Sequence, residues 1–181
     1  MGGKTFFRFL FGIFLFLNLN VQADGREEDL FSKVGIIPIK GEKKAPDFSL
    51  QDLNGKKFGL NQFKGKVIFI NFWATWCSPC KEEMPSMEVL HQQFKEKNFV
   101  LLAVSVDYGG EKPVKEFINK YQYTFPVLID PKCKTLDLFQ VKGIPTTFLI
   151  DKKKRMVGKA IGPRNWESPE VVSLINLLIE K

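Results

Sequence analysis

Apolar residues gather along this chain either in unbroken runs or in helical stripes, and the alternation of the two predicts its layout. Val67-Ile68-Phe69-Ile70-Asn71-Phe72-Trp73 is nearly continuous and rich in β-formers, as a strand buried on both faces requires. Phe99-Val100-Leu101-Leu102-Ala103-Val104-Ser105-Val106 repeats that pattern. Between them Met84, Met87, Leu90 and Phe94 recur every three or four residues, which predicts a helix from Cys80 to about Lys97 with one apolar face. Pro85 falls inside it and is expected to kink it. A helix over Glu111–Tyr121 carries Pro113 in its first turn, and Thr135–Phe139 makes a short one. The strand Phe125–Ile129 is short and bears Pro126, which places it near a sheet edge.

Hairpins are expected at both ends of this αβ core. Ala45–Leu50 starts a strand, Asp52-Leu53-Asn54-Gly55 is turn chemistry, and Lys57–Leu60 returns. Thr146–Ile150 and Arg155–Ile161 form the second hairpin. The last helix opens on Ser168 as cap, Pro169 and Glu170, and buries Val171, Leu174, Ile175 and Leu178. Together these elements predict an α/β fold with a mixed central sheet and helices on both faces.

The start of the chain differs. Lys4 and Arg8 precede an apolar stretch over Phe9–Leu17, followed by Val21-Gln22-Ala23. A basic flank, a short apolar core and a small-residue end read as a cleaved secretory signal over residues 1–23. An uncleaved membrane anchor is the alternative, although the stretch falls short of the roughly 20 residues a span needs. Residues 24–44 are polar apart from Val34–Ile39 and read as a loosely ordered lead-in, with one folded domain over 45–181. Export places the cysteines Cys77, Cys80 and Cys133 where thiols tend to be oxidised.

The chain has 181 residues, 44% hydrophobic and 26% charged, within the ordinary globular range. The formal charge of +7 falls to +5 once Lys4 and Arg8 leave with the signal. Basic residues are scattered apart from Lys152-Lys153-Lys154-Arg155, which reads as a solvated hairpin turn, with a docking patch for an acidic partner or membrane headgroups as the alternative. Nothing matches a nucleic-acid module, so no nucleic-acid partner is expected. Membrane contact is expected only through the signal or anchor.

Cys77-Ser78-Pro79-Cys80 sits where the first buried strand gives way to the helix. A helix N-terminus stabilises a thiolate on its first cysteine, which makes Cys77 the candidate attacking sulfur. Cys80, one turn in and better buried, is the candidate resolving thiol. Trp73 and Trp76 are expected to form an apolar, partly exposed rim. A zinc site is the competing reading of paired cysteines, but His91, the only histidine, lies about three helical turns away, so no metal site is expected. His91 reads as a solvated helix residue. Gly143-Ile144-Pro145-Thr146-Thr147 leads into an apolar strand, and an Ile144–Pro145 bond there can be cis, turning the Ile144 backbone outward to pair with an extended substrate segment. Cys133 leaves an odd thiol, read as free and partly buried.

With both pieces in hand the chain resembles the thioredoxin superfamily, and within it the exported TlpA/ResA-like branch, over about Ala45 to Ala160. The segments that carry the likeness are Ala45-Pro46-Asp47-Phe48, Asn71 through Lys81, Pro85, and Gly143 through Asp151. The resemblance implies a thioredoxin fold with an N-terminal β-hairpin, a central αβ insertion over Phe99–Tyr121, and a cis Ile144–Pro145 bond. It implies that Cys77 and Cys80 are a redox-active disulfide needing no cofactor, and that Glu83 is an active-site glutamate tuning them. A solvated surface position is the competing reading of Glu83. Asn71 stands where thioredoxin itself has a buried acid, which removes a proton acceptor there. The likeness further implies a reductant of disulfide-bearing proteins, such as apocytochrome c or copper-site cysteines, fed by a membrane thiol reductase. A disulfide oxidase or isomerase and a copper carrier using the thiol pair are the alternatives. A peroxiredoxin is disfavoured, since Thr75-Trp76-Cys77 lacks Thr-x-x-Cys spacing.

Overall fold

Strand β4 (Val67–Trp73) is buried at every position because it lies at the centre of an eight-stranded sheet covered on both faces. Residue 25 and residues 27–181 are described by the structure, a computed structural model; the expected signal over residues 1–23 lies outside the described residues. Alternate side chains of β4 enter opposite layers, as the period of two dictates. Val67, Phe69 and Trp73 face one core, and Ile68, Ile70 and Phe72 the other.

Around β4 the order is β1 (Ile37–Pro38), β8 (Met156–Ile161), β7 (Thr146–Ile150), β4, β5 (Phe99–Ser105), β6 (Val127–Ile129), β2 (Leu50–Asp52), β3 (Lys57–Phe58). The β4–β5 and β5–β6 pairs are parallel and the rest antiparallel, so the sheet is mixed as expected. Helix α1 spans 27–33, α2 Ser78–Phe94, α3 Glu111–Tyr121, α4 Lys134–Leu138 and α5 Pro169–Glu180. Apolar residues of α1, α2, α3 and α5 join the first core. The second is closed by Leu60 of a 3-10 turn, by Leu136 of α4 and by Phe139 and Val141 beyond it. Helix α2 runs through Pro85 without a break.

Two expectations change. Strand β6 is not at an edge, because the N-terminal hairpin adds β2 beyond it, pairing Gln51 with Ile129. Pro126 is accommodated just outside the strand, where its carbonyl accepts from Ala103 N at 2.9 Å and its missing N–H breaks no ladder. The residues read as a loosely ordered lead-in also pack: Leu30, Phe31 and Ile36 are buried, and β1 pairs with β8. Gly158 makes that docking feasible. A Cβ there would stand 2.6 Å from the Phe31 ring and 2.8 Å from Ile36 Cγ2. The Arg164 guanidinium holds the same turn, donating to the carbonyls of Val34 at 2.9 Å and Gly35 at 2.7 Å.

Candidate active site

At the C-terminal end of β4 the chain passes through Ala74-Thr75-Trp76 into α2, with Cys77 as the N-cap in extended conformation. Asp107, buried just beyond β5, fixes that passage: its carboxylate accepts from Thr75 N at 3.0 Å and from Ser105 Oγ at 2.8 Å. Cys77 and Cys80 are joined in a disulfide. The Cys80 N–H, one of the helix-end donors with no intrahelical acceptor, points at Cys77 Sγ from 3.3 Å. That donor and the positive end of a 17-residue helix both favour negative charge on Cys77 once the bond is opened.

Ile144–Pro145 is cis, and the Ile144 carbonyl oxygen lies 3.8 Å from Cys77 Sγ. This contact brings the two sequence motifs together at one place. Trp76 is 61% exposed. Trp73 is not. It ends β4 and is wholly buried against Phe117 of α3, because a central strand points its side chains into the core layers rather than at solvent. Its assignment to a substrate-binding rim is therefore withdrawn.

Glu83 is buried, which removes the surface reading. It follows Cys80 by three residues on one helix, so the two share a face. Its Oε1 accepts from Asn71 Nδ2 at 2.7 Å; its Oε2 accepts from Trp166 Nε1 at 2.8 Å and from Arg164 N at 3.3 Å. Burial raises its pKa to about 7, against the three donors, which favour the carboxylate. Asn71 also donates to Thr147 Oγ1 at 2.9 Å, tying the carboxylate to the strand that carries the cis proline. Trp166 and Asp107 carried no motif in the sequence, and Thr147, although inside the Gly143–Thr147 motif, carried no sign that it would meet Asn71. Trp166 lies two residues before the Ser168 cap, and only packing reveals its indole N–H.

His91 is half-buried beside Phe125, and burial lowers its pKa. Cys133 is free and half-buried, with Sγ 3.9 Å from the Val106 carbonyl. Its φ of 54° lies in the left-handed region, which explains why a glycine would be at ease in that turn.

A disulfide capping a helix beside a cis proline, on this sheet, defines a thiol–disulfide oxidoreductase of the thioredoxin fold. The chain belongs to the AhpC/TSA family, whose model matches residues 42–158. It is 44% identical over 128 residues to the thiol-disulfide oxidoreductase ResA of Bacillus cereus, covering 71% of this chain and 73% of that one. It is 43% identical over 121 residues to the thioredoxin-like protein YneN of Bacillus subtilis, covering 65% and 69%. A crystal structure of a putative thiol:disulfide interchange protein DsbE from Chlorobium tepidum superposes with a TM-score of 0.71 at 32% identity, covering 78% of this chain and 99% of that one.

Proposed function

We propose that this oxidoreductase is an exported dithiol reductant of disulfides in partner proteins, with Cys77 as nucleophile, Cys80 as resolving thiol and Glu83 as the acid–base group beside them. The observation that carries the reading is the setting of Cys77 Sγ, 3.3 Å from the Cys80 N–H and 3.8 Å from the Ile144 carbonyl. The first stabilises a thiolate; the second marks where a substrate backbone would lie. Trp76, Ile144 and Pro145 form the docking surface. An extended segment pairs with the Ile144 backbone and lays an apolar side chain on the Trp76 indole.

In the reduced enzyme the Cys77 thiolate attacks one sulfur of the partner's disulfide. The other partner sulfur leaves and takes a proton. Glu83 removes the Cys80 proton, and the Cys80 thiolate then attacks Cys77 Sγ. The second partner sulfur leaves and is protonated in turn. The partner has gained two electrons and two protons, and the enzyme is left with the Cys77–Cys80 disulfide. A membrane thiol reductase restores the dithiol by the same exchange in reverse. The partners are extracytoplasmic proteins whose cysteines must be reduced before a cofactor or copper is inserted, apocytochrome c among them.

Trapping tests the reading. Cys80→Ser leaves the mixed disulfide unresolved, so a partner should be recovered covalently on Cys77 and identified by mass. Equilibration with glutathione tests the direction: a potential near the thioredoxin value of about −270 mV supports reduction, and one near the DsbA value of about −120 mV overturns it in favour of oxidation.

A further inference from the structure

The two oxygens of Glu83 face different chemistry. Oε2 receives the Trp166 indole N–H and the Arg164 backbone N–H, and neither group can accept a proton. A hydrogen on Oε2 would therefore meet two donors. Oε1 faces only the Asn71 carboxamide, which can present either its nitrogen or its oxygen. In the present arrangement Nδ2 makes both of the Asn71 side-chain bonds, to Glu83 Oε1 at 2.7 Å and to Thr147 Oγ1 at 2.9 Å. Asn71 Oδ1 is buried and has no partner among the described residues. Turning the amide over would put Oδ1 between a protonated Oε1 and the Thr147 hydroxyl, both of which can donate to it. Two hydrogen bonds are lost and two regained, so the carboxyl keeps its partners in either charge state.

We propose that Trp166 and Asn71 are positioning residues: Trp166 confines the Glu83 proton to Oε1, and the Asn71 amide turns over each time that proton arrives or leaves. The proposal rests on Glu83 exchanging a proton with the cysteine pair, and it says where that proton is held and what accommodates it. It also gives the asparagine a role that a second buried acid could not fill, since two carboxylates side by side would contest one proton. The other groups facing Glu83 are few. The Thr147 hydroxyl of β7 meets Asn71 rather than Glu83, and from the segment after β8 comes the Arg164 guanidinium, whose charge favours the carboxylate. On α2 itself Cys80 lies one turn back. A groove of about 420 Å³ bounded by Glu82, Ser86, Pro163, Arg164 and Glu167 is lined in part by Glu83.

The test uses the oxidised full chain, in which Cys77 and Cys80 do not titrate. Glu side-chain carbon and Asn side-chain nitrogen are followed by NMR from pH 5 to 9. The expected result is one inflection shared by the Glu83 carboxyl and the Asn71 amide, with the amide inflection gone in Glu83→Gln. A Glu83 titration that leaves the Asn71 amide unmoved overturns the turning amide. Trp166→Phe removes one donor that favours the carboxylate, so the shared midpoint should move alkaline by about one pH unit. An unmoved midpoint in a folded variant overturns the role of Trp166. The wild-type titration decides the amide even if that variant fails to fold. A shared inflection together with a rate–pH profile that Glu83→Gln leaves unchanged would instead overturn the acid–base role proposed above, with the amide coupling intact.

Discussion

Cys77 and Cys133 both cap helices, yet only one of them is aimed at the helix it caps. At α2 the capping residue is extended, with φ −84°, and its sulfur receives the Cys80 N–H. At α4 the capping residue is left-handed, with φ 54°, and its side chain makes no cap bond. The donors of α4 are taken by Asp130, whose carboxylate accepts from Lys134 N at 3.2 Å and Thr135 N at 2.7 Å. The corresponding acid beside α2, Asp107, bonds Thr75 instead, before the helix starts, and leaves the first free N–H to the sulfur. Three residues after Cys80 stands Glu83; three after Cys133 stands Leu136. A cap position alone does not prepare a thiol. The backbone conformation that aims it, and the absence of a competing carboxylate, do.

Exchanging each sulfur for oxygen gives the largest expected contrast. Cys77→Ser should lose all detectable reduction of a model protein disulfide in the presence of a dithiol donor, while Cys133→Ser should turn over at the wild-type rate. Serine is a good N-cap residue at position 77, and at position 133 no side-chain cap bond is lost, because Asp130 takes the α4 donors. Comparable losses in the two would break the distinction at its root.

Much of this was legible in advance, and the boundary has a physical cause. Helix α2, β4 and the cysteine pair follow from local patterns, an apolar period and a capping junction, whereas the X-Pro bond before a strand allowed a cis proline and only the resemblance implied one. The resemblance supplied Glu83 but left a solvated surface position as the competing reading, whereas counting three residues from Cys80 puts it on the shared helix face. Trp73 went wrong because an aromatic residue at a strand end reads equally as rim or core, and only the neighbouring α3 decides. Trp166 and Asp107 were silent because their roles depend on which strands and loops become neighbours, and the motif residue Thr147 gave no sign of its bond to Asn71 across 76 positions of sequence. The stretch after residue 24 looked loose because its apolar patch is short, and the space that receives it is created by the absent side chain of Gly158.

The next contrast concerns the acid that one sulfur has and the other lacks. In the folded protein Glu83 stays protonated up to about pH 7, whereas the unfolded chain releases that proton near 4.5. Between these values the folded state binds more protons, so stability falls as pH rises from about 4.5 to 7 and levels off above. The full span is worth about 3 kcal/mol. Urea unfolding of the oxidised protein at pH 5 and pH 8 should show that loss in the wild type, and Glu83→Gln should remove it. His91, with its lowered pKa, works in the opposite direction in both proteins and cancels in the comparison. Equal pH dependence in wild type and variant would show that Glu83 is not held neutral.

Reactivity gives a smaller and sharper contrast, because exposure and electrostatics oppose each other. Cys77 is only 5% exposed and Cys133 is half-buried, so access alone would favour Cys133. The helix end favours Cys77, since it is the thiolate that reacts. Limiting iodoacetamide on reduced protein at pH 7, read by peptide mass, should modify Cys77 about tenfold faster than Cys133. Equal rates, or the reverse order, would mean that the Cys80 N–H and the α2 dipole do not govern the sulfur.

The smallest effect isolates the competing carboxylate. Asp130→Ala frees the Lys134 and Thr135 N–H groups at the start of α4 and removes the Thr135 hydroxyl's partner at 2.6 Å. The loss of a helix-capping side chain costs about 1 kcal/mol, measurable as a lowered urea midpoint with an unchanged slope. Helix α4 is five residues long, too short for its dipole to replace what Asp130 supplied, and the left-handed backbone still turns Cys133 away from the vacated donors. Cys133 alkylation should therefore rise by less than about twofold, far below the tenfold that separates it from Cys77. A rise that closed that gap would assign the difference between the two sulfurs to the acid alone, and the backbone conformation would lose its part in the explanation.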